Sequence, residues 1–161
     1  MIFDMHCHIL PSVDDGSASM EQTEEMLRMA DAEGIDVIVA TPHFHCGGRC
    51  VDVEKLKSRY AEVRDMWKAY GADKELLLGN ELFYSDGIVD ALQNGMALTL
   101  HGTRYVLVEF PTYADFSYIL RGVQRLRYAG YRPILDIWSV MNRPKSGGCY
   151  RSCGVRVHIC R

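Results

Sequence analysis

Ile35-Asp36-Val37-Ile38-Val39-Ala40-Thr41-Pro42-His43 is the stretch that decides the fold. Its centre, Val37–Ala40, is an unbroken apolar run dominated by β-branched residues, as in a strand buried on both faces, and Gly34 and Pro42 bracket it. Upstream, Met20, Thr23, Met26, Leu27 and Ala30 recur at helical spacing. Ser19 and Gln22 form a capping box at the start of that helix, and Gly34 stops it. Downstream, Val53, Leu56, Tyr60, Val63 and Trp67 make a second helical stripe that ends near Gly71. The alternation extends both ways, with strands predicted over residues 2–5, 75–79, 104–110 and 132–135. A short helix is predicted around residues 87–92, and a longer one carries Phe116, Ile119, Leu120, Val123 and Leu126 up to Gly130. Buried strands separated by helices pair in parallel, so the class is α/β. Spacing alone leaves open whether they curl into a barrel or lie in an open sheet.

The chain has 161 residues, 48% hydrophobic and 24% charged, with a net charge of -3. That is enough for one domain with a sizeable core, and it excludes collagen-like, disordered and disulfide-miniprotein classes. No run approaches the roughly 18 apolar residues of a membrane span. Residues 1–5 lack a basic, apolar leader, and the charge gives no reason to expect nucleic acid. A cytoplasmic location with reduced cysteines is the expectation.

In α/β folds, function gathers where strands end. Here His6 and His8 lie at the end of the first strand, followed by Asp14-Asp15-Gly16; the second runs into His43, the third into Glu81, and the fourth ends at Glu109. In His6-Cys7-His8, residues two apart on an extended chain face the same side, so both imidazoles can reach one cation. Two such histidines, or an Asp-Asp-Gly turn, are commonplace alone; the succession of ligand-bearing strand ends points to metal. Glu109 lies in the apolar run Val106-Leu107-Val108-Glu109-Phe110, where a carboxylate is costly unless paired or on a metal. His45 and His101 read as ordinary histidines. Mixed imidazole and carboxylate donors suit Mn, Fe or Zn better than Ca or Mg alone. Several donors of both kinds suggest more than one ion, and clustered divalent ions suit hydrolysis of phosphate esters by activated water. Cys7 has no arginine-bearing phosphate loop around it, which argues against a cysteine nucleophile.

Taken together, Asp4-Met5-His6-Cys7-His8, Val13-Asp14-Asp15-Gly16, Ala40-Thr41-Pro42-His43, Gly79-Asn80-Glu81-Leu82-Phe83-Tyr84 and Leu107-Val108-Glu109-Phe110 resemble the PHP (polymerase and histidinol phosphatase) superfamily. More closely, they resemble the manganese-dependent tyrosine phosphatases of bacterial capsule and exopolysaccharide operons, the CpsB/YwqE type. The resemblance covers residues 1–135, a little over half of a full-length member. It implies a distorted (β/α) barrel, truncated here after about five strands, and a centre of up to three Mn2+ ions. His6 and His8 would hold the first ion with Glu81, Glu81 would bridge to a second that Glu109 also binds, and Asp15 and His43 would hold the third. The implied substrate is the phosphotyrosine tail of a bacterial tyrosine kinase. A small-molecule phosphatase of the histidinol-phosphatase kind is the alternative enzyme; an inert fragment or kinase-binding remnant is the non-enzymatic one. Asp14-Asp15-Gly16 and Leu107-Val108-Glu109-Phe110 argue against the small-molecule enzyme.

After Leu135 the resemblance stops. Residues 136–161 carry Arg143, Lys145, Arg151, Arg156 and Arg161 against the single acid Asp136, which leaves residues 1–135 with 13 basic and 20 acidic residues by subtraction. The family's His-x-Glu-Arg-Tyr segment and its later Asp-x-His pair are missing. Read from the third base of the Asp136 codon, however, Asp136-Ile137-Trp138-Ser139-Val140-Met141-Asn142 permits His, Met or Leu, Glu, Arg, Tyr and Glu. Residues 157–161 permit Ala-Tyr-Met-Gln in the same frame. The expectation is a family stretch over 1–135 followed by an out-of-frame tail over 136–161. The rival reading, a zinc module of Cys149, Cys153, His158 and Cys160, has spacing too compact for the usual paired ligands.

Overall fold

The computed structural model describes residues 1–48 and 52–136, and the backbone of 156–157. In chain order the elements are β1 (Phe3–Cys7), α1 (Met20–Ala32), β2 (Val37–Ala40), β3 (His43–His45), α2 (Val53–Lys68), β4 (Glu75–Leu78), β5 (Glu81–Phe83), α3 (Ile88–Gln93), a 3-10 turn (Leu100–Gly102), β6 (Tyr105–Glu109), α4 (Phe116–Tyr128), β7 (Arg132–Asp136) and β8 (Arg156–Val157). They fall into two compact units, each built on a four-stranded sheet. The proposed zinc ligands Cys149, Cys153, His158 and Cys160, and nearly all of the tail, lie outside the described residues.

The first unit contains β1, α1, β2, α2, β4 and β8, with sheet order β4-β2-β1-β8. The β4-β2-β1 pairs are parallel and β8 runs antiparallel to β1. Every residue of β2 is buried, as an all-apolar run between two parallel neighbours requires. Ser19 caps α1 by accepting the Gln22 N–H at 3.3 Å, and Gln22 Oε1 accepts the Ala18 N–H at 2.8 Å. Leu27, Leu56, Val63 and Trp67 turn the apolar stripes of α1 and α2 inward. Lys74 is buried because its Nζ donates to the Ile35 carbonyl at 2.6 Å, pairs with Asp31 at 2.9 Å and sits over the Trp67 ring. The β1–β2 register is irregular between Asp4 and Cys7, and there Asp4 accepts the His6 N–H at 3.2 Å.

The second unit contains β3, β5, β6, β7, α3 and α4, with the all-parallel order β3-β5-β6-β7. Its core gathers Phe44, Leu82, Ile88, Val106, Val108 and Leu126. Gly122 of α4 lies against the stacked rings of Tyr84 and Phe110.

The five expected strands and four helices are present. Besides the two-residue β8, two strands were not expected: β3 and β5, each of three residues. Runs this short carry no readable alternation, and their pairing with distant strands is what makes them strands. They change the account of two candidate ligands: His43 and Glu81 do not merely follow strands but begin new ones.

Candidate metal centre

In the first unit, His6 of β1 and His8 just past its end stand side by side, their Nε2 atoms 2.9 Å apart. Thr41, directly after the neighbouring strand β2, fixes the end of β1, its N–H donating to the Cys7 carbonyl at 2.9 Å and its Oγ1 accepting the Cys7 N–H at 3.1 Å. The loop then folds back on itself. Ser17 N–H donates to the His8 carbonyl at 3.0 Å, and Asp14 Oδ1 accepts the Gly16 N–H at 3.0 Å. A Cβ on Gly16 would lie 2.3 Å from both Cβ and O of His8, so only glycine lets the loop come this close. Asp14 Oδ2 reaches His8 Nδ1 at 2.7 Å, and both side chains are more than nine-tenths buried. Asp15 is exposed and offers an oxygen within 4.8 Å of a His8 ring nitrogen.

In the second unit, register does the assembly. His43 stands opposite Glu81 across β3 and β5, and Glu109 pairs with Phe83 across β5 and β6. Each of His43, Glu81 and Glu109 offers a ligand atom within 4.8 Å of the others. His43 Nδ1 and Glu81 Oε2 are 3.0 Å apart. Glu81 is 2% exposed, a placement that is costly for a carboxylate without a cationic partner. Glu109, which the sequence singles out as the costly acid, is only half-buried because it ends its strand. The buried carboxylate is Glu81.

These distances fit a divalent cation. Metal–ligand bonds of about 2.1 Å at right angles place two donor atoms about 3.0 Å apart. The imidazole-plus-carboxylate set is that of Mn, Fe or Zn. Cys7 does not resemble a nucleophile: burial, reinforced by Asp4, pushes its thiol well above the ordinary range. Burial also raises the Asp4 carboxyl. His45 is exposed and stacks on Phe83, while His101 is exposed in a left-handed turn at φ 50°. The sequence reading of the turn left Asp14 without a role; its neighbours in Asp-Asp-Gly do not reveal which acid faces His8.

A family model described as "Capsular polysaccharide synthesis, CpsB/CapC" matches residues 2–137, a span that contains all six candidate ligands. The chain belongs to the CpsB/CapC family. It is 30% identical over 138 residues to the tyrosine-protein phosphatase YwqE of Bacillus subtilis, covering 83% of this chain and 53% of that one. It is 28% identical over 134 residues to the tyrosine-protein phosphatase CpsB of Streptococcus pneumoniae, covering 83% and 55%. A crystal structure from work on YwqE and CpsB, described there as unique metal-dependent tyrosine phosphatases, superposes with a TM-score of 0.73 at 29% identity, over 83% of this chain and 54% of that one. The α/β fold is therefore the CpsB/YwqE fold, and the chain spans about half the length of the curated relatives it matches. Among the described residues, no helix is long and apolar enough to cross a membrane.

Proposed function

We propose that this CpsB/CapC chain carries metal-ligand residues of a phosphotyrosine-protein phosphatase acting in capsule or exopolysaccharide regulation. The observation that carries the reading is the meeting of His43, buried Glu81 and Glu109 at strand positions fixed by parallel register. His6, His8, Asp15, His43, Glu81 and Glu109 are the proposed ligands, and Mn2+ the ion. When bound, such ions supply Lewis-acid activation of water and neutralise phosphoryl oxygens. The chain's own part is to present donors already in place. Glu81 and Glu109 bring the negative charge that offsets the cations, and burial of Glu81 strengthens that attraction. The proposed substrate is a phosphotyrosine segment of a bacterial tyrosine kinase; the names of the relatives support phosphotyrosine over histidinol phosphate.

The test is Mn2+ content by elemental analysis after dialysis, in the wild-type chain, His6→Ala/His8→Ala and Glu81→Gln. Both variants are expected to lose most of the bound metal. Wild-type metal content in both would refute the assignment.

We also propose that residues 136–161 are read out of frame. The family match ends at residue 137, beside the Leu135–Asp136 junction, which supports this reading. Resequencing the gene across that junction tests it; an intact frame in independent reads would overturn it.

A further inference from the structure

We propose that Asp14 is a positioning residue: it holds the proton of His8 on Nδ1 so that Nε2 presents its lone pair to a divalent cation. The proposal rests on the metal-ligand reading of His8 above. Asp14 uses its two oxygens for two tasks. Oδ1 accepts the Gly16 N–H at 3.0 Å and closes the turn, while Oδ2 lies 2.7 Å from His8 Nδ1. A carboxylate only accepts hydrogen bonds, so Nδ1 is the donor. In the neutral ring that leaves Nε2 unprotonated. Nε2 is the atom 2.9 Å from His6 Nε2, on the side where the two imidazoles converge. Before metal enters, His6 Nε2–H donates across that gap to His8. Both Asp14 and His8 are more than nine-tenths buried, so water does not compete for the bond. A carboxylate bound to the distal nitrogen of a metal-binding imidazole fixes its tautomer and raises its basicity.

Asp14→Asn separates this role from a structural one. The Gly16 N–H requires the amide oxygen, so the amide NH2 faces His8 Nδ1. Nδ1 must then accept, and the ring proton moves to Nε2, where it blocks ligation. The wild-type chain is examined metal-free at pH 8 by long-range 1H–15N correlation of the histidine rings, then titrated with Mn2+ alone. Wild-type His8 should show the Nδ1–H pattern and Asp14→Asn the Nε2–H pattern, with Mn2+ binding about 10–100-fold weaker in the variant. Protonation of wild-type His8 at Nε2, alone or together with Nδ1, overturns the proposal, and this reading needs no folded variant. An unchanged tautomer or unchanged Mn2+ affinity in a folded Asp14→Asn chain also overturns it. If the wild type takes up no Mn2+, the metal reading fails, while the ring spectrum still decides what Asp14 does to His8.

Discussion

Gly16 and His8 show how little freedom the loop after β1 has. Their main chains approach so closely that an added methyl group would sit 2.3 Å from His8 O. The atoms it meets are the backbone carbonyl and Cβ, neither of which can swing aside. Gly16→Ala must therefore displace the loop and with it the hydrogen bonds made by Ser17 and Asp14. A destabilisation of about 1–3 kcal/mol is expected, as for other overpacked sites. Reduced Mn2+ uptake should accompany it, because His8 moves with the loop. Urea unfolding and a Mn2+ titration check this; a variant equal to wild type in both would show that the loop is slack.

Among the elements, α4 combines two opposing effects at Gly122. Alanine is worth about 1 kcal/mol more than glycine inside a helix. Against this, the new Cβ would lie 2.7 Å from Phe110 Cε1 and 2.8 Å from Tyr84 Cζ. Those rings stack on each other with centroids 4.8 Å apart, so neither yields easily. Overpacking at about 1–3 kcal/mol wins, and Gly122→Ala should lower the melting temperature. A higher melting temperature would mean that the rings have room to move. The start of α4 gives a pH prediction. The Ser117 hydroxyl first, and the Tyr118 N–H next, hold the Asp115 carboxyl below its usual range. The folded pKa thus lies below the unfolded value of about 3.9, so the cap stabilises fully above that pH and fades as pH falls through the folded value. Asp115→Ala should be less stable than wild type at pH 6, and the gap should shrink toward pH 3. Equal urea midpoints at pH 6, or a gap constant down to pH 3, would contradict the cap's ionised role.

For the whole molecule, the expectation is loss of turnover in the chain as written and recovery when the frame is restored after Leu135. Residues 136–161 lack the His-x-Glu-Arg-Tyr segment, whose histidine the family resemblance implies as a metal ligand and whose arginine it implies as the holder of the phosphate. Removing one well-placed electrostatic group costs on the order of 10²–10³ in rate, and here a metal ligand and the phosphate-holding arginine are replaced together. The measurement is Mn2+-dependent hydrolysis of a phosphotyrosine peptide by the 161-residue chain and by a frame-corrected version, with histidinol phosphate as the competing substrate. Equal rates from the two chains would show that residues 1–135 suffice; preference for histidinol phosphate would favour the small-molecule alternative.

The features legible before folding were local ones. Val37–Ala40, the stripes of α1 and α2, and the stops at Gly34 and Gly130 were legible because burial on both faces and helical periodicity leave their mark within a few neighbours; in α4 the stripe held at buried Leu126 but not at Phe116 and Leu120, which are exposed. The placing of His6 beside His8 was legible for the same reason: residues two apart on an extended chain share a side. Tertiary structure decided everything that depends on register between distant segments. Three-residue strands at His43–His45 and Glu81–Phe83 exist only through their parallel partners, and that pairing sets His43 against Glu81 with Glu109 within reach. It also decided which acid is buried. Glu109 sits in the more apolar run, yet it ends its strand, whereas Glu81 begins one between two neighbours and loses its water. The choice of Asp14 over Asp15 for His8 came likewise from the closing of one turn around Gly16, a contact between backbones that side-chain chemistry does not encode.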